Sequence, residues 1–285
     1  MQNLYEETKN IMRKYNIKAD KSLGQNFLID ENVVNGIVEG AKVSKDDLII
    51  EIGPGLGTLT SILLEMAGKV ICVELDKRMI EILEERFKKY NNFKIINDDI
   101  LKIDINEIIK QELEDKKNVK IVANLPYYIT TPIIMKLLES KLNIDTITVM
   151  VQKEVAQRLT ANTGTRLSGA ITYAVEYYSK SKTILEVPSY SFLPEPKVDS
   201  EVIQLEIRKS GEYKVDNEKM LFKLIKMAFM QRRKTLINAL SNKEIFKSKE
   251  EIVKLLEKLN IDTKIRGEDL KLEEFIKIAN NIKKL

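Results

Sequence analysis

From Leu48 onward the chain repeats one unit: a short β-branched run, a polar or glycine-containing stop, then an amphipathic helix. The runs fall at 48–52, 70–74, 93–97, 119–123 and 146–151, and the spacing of apolar residues predicts helices between them, for instance over 77–90 and 132–140. Parallel strands need long crossovers, so this alternation specifies an α/β fold: a parallel sheet covered by helices on both faces. A second stretch, 175–208, carries Val/Ile-rich runs at 183–187 and 202–207 joined through Pro188, Pro194 and Pro196, which suits an antiparallel edge on that sheet. Residues 1–47 read as helical, with Leu4, Ile11 and Met12, then Val33, Val34, Ile37 and Val38, spaced for a buried face. Residues 21–28, rich in Gly, Ser and amides, interrupt them. Beyond Ser210 and Gly211 the pattern is all-helical, over 217–240, 249–259 and 272–283. Two domains are expected, 1–211 and 212–285, as suits 285 residues.

Composition removes several chemistries. The chain has no His, no Trp and one Cys, Cys72. It cannot build a Ser-His-Asp or Cys-His apparatus, a Cys/His zinc cluster, an iron–sulfur centre or an internal disulfide. No metal is expected, and catalysis must rest on carboxylates, amides, backbone dipoles, hydroxyls or a borrowed cofactor. The first residues mix Glu6 and Glu7 with Lys9, Arg13 and Lys14, unlike a signal peptide. No apolar run approaches the ~20 residues of a membrane-spanning helix. A soluble, cytoplasmic protein without a membrane partner is expected. The net charge of +4 hides an asymmetry: residues 1–211 hold 29 basic and 31 acidic side chains, residues 212–285 hold 18 and 12. A basic end on a near-neutral body is the electrostatic footprint of a nucleic-acid binder, although lysine-rich solvated helices produce it too.

The ends of the predicted strands carry the functional signal. After 48–52 comes Gly53-Pro54-Gly55-Leu56-Gly57, a turn that lets a ligand approach the backbone. Its spacing is not that of a dinucleotide fingerprint, and Pro54 removes an amide donor, which favours a nucleoside without phosphates over NAD. The second strand ends at Glu74, 21 residues past Gly53, the offset at which an acid bonds ribose hydroxyls. The third ends at Asn97-Asp98-Asp99 and the fourth at Asn124-Leu125-Pro126-Tyr127, with 25 residues from Glu74 to Asp99 and again from Asp99 to Asn124. A glycine turn alone is compatible with a simple bend, and one carboxylate with a helix cap. Four in step favour a ligand site on the carboxyl edge of the sheet.

These features together resemble S-adenosylmethionine-dependent amino methyltransferases. Within them, Gly24–Leu28 (GQNFL), Gln152–Ala156 (QKEVA), Phe192–Ser200 (FLPEPKVDS) and Gln231–Leu236 (QRRKTL) resemble the bacterial small-subunit (16S) ribosomal RNA adenine dimethyltransferases, over nearly the whole chain. The resemblance implies a Rossmann-like methyltransferase sheet with an antiparallel edge plus a small all-helical C-terminal domain. It also implies S-adenosyl-L-methionine as cofactor, with Asn26 and Leu28 covering it, Gly53 and Gly55 beside its methionine portion, Glu74 on the ribose, Asp99 at the adenine amine and Asn124 at the reacting end. The implied targets are two adjacent adenines in the 3′-terminal hairpin loop of small-subunit rRNA, and the implied partner is the small ribosomal subunit, met by a monomer. One departure stands out. Where the family usually has Tyr-Gly, this chain has Ser168-Gly169, which puts the local RNA contact in doubt.

An adenine amine is a poor nucleophile because its lone pair is delocalised into the ring. The Asn124 side-chain oxygen and the Leu125 carbonyl could accept its two hydrogens and aim the lone pair at a methyl group. Pro126 would stiffen the turn, and Tyr127 and Phe192 would stack an extruded base. Seen alone, the same turn suits a surface bend and Phe192 suits a core. Lys223, Lys226 and Arg233 at near-helical spacing, thickened by Arg232 and Lys234, form the expected RNA-phosphate surface, with a buried interdomain anchor as the alternative for Arg232. The alternatives are a large-subunit rRNA methyltransferase conferring antibiotic resistance, a non-catalytic RNA-binding assembly factor and a nicotinamide oxidoreductase.

Overall fold

A computed structural model describes residues 3–208, 211–241 and 244–282. Met1, Gln2, Ser210 and Lys283, included above in helices and linker, lie outside the described residues. The chain forms two compact units, Met1–Ala156 with Ser181–Ile207, and Gln157–Lys180 with Arg208–Leu285. The division therefore differs from a single boundary near residue 211: residues 157–180 leave the first unit and belong to the second.

The first unit begins with α1 (Leu4–Lys14), a two-residue strand β1 (Phe27–Leu28) and α2 (Glu31–Gly40). The repeat follows as β2 (Asp47–Ile52), α3 (Thr58–Met66), β3 (Lys69–Glu74), α4 (Lys77–Phe87), β4 (Phe93–Asn97), α5 (Ile105–Glu112), β5 (Asn118–Asn124), α6 (Thr130–Glu139), β6 (Thr146–Gln152) and α7 (Lys153–Thr160), whose second half enters the other unit. Helix α8 (Ala170–Tyr178) also belongs there, before β7 (Ser179–Val187), β8 (Phe192–Leu193) and β9 (Ser200–Ile207). The main sheet has the order β4-β3-β2-β5-β6-β9-β7. Strands β2 to β6 pair in parallel, and β9 runs antiparallel to β6. Helix starts are set by carboxylate caps: Asp30, Asp76 and Asp104 each accept a backbone N–H from the first turn of α2, α4 and α5. In β2, Leu48, Ile49 and Ile50 are all completely buried, which requires cover on both faces. The strand order reverses at β2, flanked by β3 and β5, and ligands of open α/β sheets bind at that point, outside the carboxyl ends.

The second unit packs α8, α9 (Glu218–Met230), α10 (Leu236–Leu240), α11 (Lys249–Lys258) and α12 (Leu272–Asn281) around Tyr173. That ring has no exposed surface, lies edge-on to Phe275 at 5.1 Å and tilts against Phe229 at 5.3 Å. Its hydroxyl donates to the Leu270 carbonyl at 2.6 Å. The helix expected over 217–240 is interrupted. Residues 231–234 form a turn closed by Lys234 N–H to the Gln231 carbonyl, because Thr235 and Leu236 pair instead with Arg266 and Ile265. Arg233 consequently does not continue the lysine stripe of α9. Tyr173→Phe, which leaves a buried carbonyl without its donor, is expected to lower the unfolding free energy by about 1–2 kcal/mol in chemical denaturation.

Candidate active site

An open-mouthed cleft runs along the carboxyl ends of β2, β3 and β5. Asn26, Leu28, Gly53, Gly55, Glu74, Asp99, Asn124, Leu125, Pro126 and Tyr127 all line it. The four strand ends singled out by the sequence thus converge in one place.

The glycine turn after β2 requires left-handed backbone at Gly53, Gly55 and Gly57, with φ of 66°, 56° and 84°. At Gly53 no atom lies within 4 Å of where a Cβ would sit, so the backbone is open to a ligand. At Gly57 the same atom would fall 2.6 Å from the Phe87 ring, so that glycine serves packing. Glu74, at the end of β3, is buried, and its two carboxylate oxygens accept the Gly55 N–H at 3.1 Å and the Asp76 N–H at 2.8 Å. Burial pushes this carboxyl up from its ordinary value, and the backbone amides of Asp76, Gly55 and Leu75 oppose that rise. A carboxylate offers about four acceptor positions. Backbone amides take up most of that capacity, and the remainder is available to a ribose hydroxyl.

Asp99 accepts the Leu101 N–H at 2.9 Å and lies 3.5 Å from the Lys102 ammonium. Its loop is held by a residue that sequence reasoning missed. Lys136 of α6 donates to the carbonyls of Ile100 at 2.8 Å and Ile103 at 2.6 Å, and burial draws its ammonium down from its ordinary value. Glu51 was also missed. It is 2% exposed, lines the cleft from β2, accepts the Thr60 hydroxyl at 2.7 Å and sits 3.4 Å from the Cys72 sulfur. Burial pushes its carboxyl up to about 7. A lone acid inside an apolar strand run was the available signal.

Asn124 donates its amide hydrogen to the Asn26 carbonyl at 3.3 Å. Its side-chain oxygen makes no hydrogen bond among the described residues. Leu125 N–H donates to the Met150 carbonyl at 3.2 Å, and the Pro126 carbonyl accepts from Ile129 N–H at 3.2 Å and the Thr130 hydroxyl at 3.1 Å. The turn is therefore pinned on both sides. Phe192 is placed differently from expectation. It is 2% exposed, packs in the core and does not line the cleft. The reason is pairing: β8 forms a two-stranded ribbon with β1, Phe192 opposite Leu28 and Leu193 opposite Phe27, which ties that segment to the core-lining strand.

In the helical unit, Lys223 and Lys226 lie exposed on α9, with Lys223 3.2 Å from Glu244, and Arg233 and Lys234 lie exposed on the following turn. Arg232 is committed elsewhere. Its guanidinium donates to Glu268 at 2.8 Å, to the Ser168 carbonyl at 2.9 Å and to the Arg166 carbonyl. Ser168 is itself completely buried, its hydroxyl donating to the Thr165 carbonyl. The position at which the sequence departs from the family pattern is therefore interior, and its carbonyl is an acceptor for Arg232.

Glu51 gives the site a pH signature. Its carboxyl releases its proton at an ordinary value of 4.5 when unfolded and at about 7 when folded, so the folded chain holds the extra proton between them. Stability is full below the lower value and declines as pH rises through the upper one. Glu51→Gln is expected to remove this decline, gaining on the order of 1–3 kcal/mol relative to the parent between about pH 5 and about pH 8 in thermal unfolding series. A difference that stays constant across pH would contradict it.

Comparison with known proteins fits this geometry. The family model for ribosomal RNA adenine dimethylases matches residues 16–284. Ribosomal RNA small subunit methyltransferase A of Alkaliphilus oremlandii is 48% identical over 279 residues, covering 98% of this chain and 97% of the relative. The protein of the same name from Clostridioides difficile is 48% identical over 278 residues, covering 98% and 96%. Among solved structures, a dimethyladenosine transferase from Plasmodium falciparum superposes with a TM-score of 0.77 at 28% identity, over 90% of this chain and 98% of the other. The 23S rRNA methyltransferase ErmE shares the fold, with a TM-score of 0.67 at 22% identity over 90% and 100%. Matched over nearly its whole length, the chain belongs to the ribosomal RNA adenine dimethylase family.

Proposed function

We propose that this protein is an S-adenosylmethionine-dependent dimethyltransferase acting in the cytoplasm on small-subunit (16S) ribosomal RNA. Its targets are two adjacent adenines in the 3′-terminal hairpin loop, each receiving two methyl groups on its exocyclic amine during subunit maturation. The observation that carries this reading is the commitment of the Asn124 amide hydrogen to the Asn26 carbonyl. It fixes the rotamer and leaves the oxygen as the free end, an acceptor for an amine. The small-subunit relatives share 48% of their residues with this chain, against 22% for the large-subunit enzyme, which favours the small subunit.

The cleft suits the methyl donor. Glu74 retains acceptor capacity for a ribose hydroxyl, Gly53 leaves backbone open, and Asp99 retains acceptor capacity for an adenine amine. When bound, S-adenosylmethionine supplies a methyl group activated by a positively charged sulfur. The residues of this chain supply geometry. Asn124 and the Leu125 carbonyl accept the two amine hydrogens, which favours a pyramidal nitrogen and stabilises the positive charge that develops on it. Pro126 restrains the turn, and Tyr127 offers a stacking face to the extruded base. Phe192 acts as a second plate only once its ring is uncovered. The N–C bond forms as the C–S bond breaks, the thioether leaves neutral, and the cationic nitrogen, now strongly acidic, releases one proton to water, so neither a strong base nor a metal is required. Every residue given a role here comes from one chain, so a monomer suffices. Lys223, Lys226, Arg233 and Lys234 provide phosphate contacts, with Arg232 holding the turn that presents them.

Radiolabelled methyl transfer to undermethylated small subunits, with mapping of the modified bases, tests the function; transfer confined to large-subunit RNA would reject it. Asn124→Ala is expected to slow transfer by about 10²–10³-fold while RNA and donor affinities change by less than about threefold. Arg233→Ala combined with Lys234→Ala is expected to weaken RNA binding and to lower the slope of log affinity against log salt by about one for each cation removed. Arg232→Ala should instead lower thermal stability and leave the salt slope unchanged, in filter binding across a salt series.

A further inference from the structure

The segment Phe192–Ser200 ends in a residue that the reaction above does not use. Ser200 opens β9 and pairs with Gln152, the last residue of β6. It is completely buried, and its hydroxyl lies 2.7 Å from the Tyr127 hydroxyl. The preceding residue fixes the strand start from two directions: the Asp199 carbonyl accepts Lys153 N–H at 3.0 Å, and its carboxylate accepts Ser189 N–H at 2.9 Å. Ser200 thus offers a rigid anchor on the sheet.

Tyr127 is half-buried and lines the cleft directly after the Asn124 turn. Burial raises its phenol above the ordinary value, so the contact joins two neutral hydroxyls at physiological pH. A tyrosine ring held only at its backbone end can swing about χ1; its hydroxyl oxygen lies on the χ2 axis, so a hydrogen bond there fixes where the ring points and, through the in-plane preference of the phenolic O–H, biases its plane. Here the backbone end is held in a short helical turn, Tyr127–Ile129, and the hydroxyl end is held by Ser200. Stacking on a base depends on where that ring face lies, and a stacked base is worth about 1–3 kcal/mol.

Resting on the function proposed above, we infer that Ser200 is a positioning residue for methyl transfer: its hydroxyl fixes the Tyr127 ring in the attitude that stacks the target adenine beside Asn124. The role is indirect, because Ser200 is sealed from the cleft and acts only through Tyr127. It gives the Phe192–Ser200 motif a function at its far end that does not depend on exposure of Phe192.

The test uses the full-length protein, undermethylated small subunits and three variants: Ser200→Ala, Tyr127→Phe and the double variant. Each single variant is expected to slow single-turnover transfer about tenfold, the double variant no more than either, and calorimetric affinity for S-adenosylmethionine is expected to stay unchanged. With 2-aminopurine in place of the target adenine, the variants should give brighter fluorescence than the parent, because stacking quenches it. Parent-like rates in the variants, losses that multiply in the double variant, or unchanged fluorescence would each overturn the inference. Should Ser200→Ala fail to fold, Tyr127→Phe keeps the ring and leaves the same two readouts. A parent that binds the donor but transfers no methyl to RNA would overturn the functional reading, and this inference with it, whereas an active parent with unaffected variants overturns this inference alone.

Discussion

Burial of the central strands on both faces is the constraint from which the site follows. Leu48, Ile49 and Ile50 of β2 have no exposed surface, and the strand pairs along its length with β3 and β5. An unpaired polar side chain inside that layer would lose its hydration without compensation. Polar side chains therefore collect where the strands end, and parallel strands all end on the same edge. Gly53, Glu74, Asp99 and Asn124 share one cleft for that reason. Glu51 shows what an exception requires: two hydrogen-bonding neighbours, Thr60 and Cys72, and a carboxyl whose proton is retained to about 7.

With no histidine available, the site is built from carbonyls, amides and carboxylates, and the backbone orients the side chains. The Asn26 carbonyl takes the Asn124 amide, the Gly55 and Asp76 amides take the Glu74 carboxylate, and the Ile100 and Ile103 carbonyls take Lys136. The segment around Asn26 touches both halves of the proposed chemistry. Gln25 bonds Asp76 at 2.8 Å next to Glu74, while the Asn26 carbonyl holds the Asn124 amide. Such an arrangement needs little reorganisation when charge develops on an amine, because the dipoles are already fixed.

Within a single basic run, the helical unit commits one cation and leaves two exposed. Arg232 closes the turn against the Ser168 and Arg166 carbonyls and Glu268, and Arg233 and Lys234 remain exposed on it. A guanidinium with a rigid fork suits the first task, since it satisfies several acceptors at once. Ser168 is buried, and its carbonyl serves that closure.

The amino-acid sequence alone determined the parallel sheet, its antiparallel edge and the four strand ends, because each depends on local periodicity and on the spacing of successive β-α units. It also carried the basic tail and the family motifs. Tertiary structure alone decided that residues 157–180 belong with the helical unit, that Phe192 is buried, that Arg232 is an anchor, and that Glu51, Lys136 and Ser200 support the cleft. These depend on which side chains meet across long stretches of chain, as Tyr127 meets Ser200, 73 residues away. A local pattern fixes the direction in which a side chain leaves its strand or helix, whereas only packing between distant elements fixes the group that it meets.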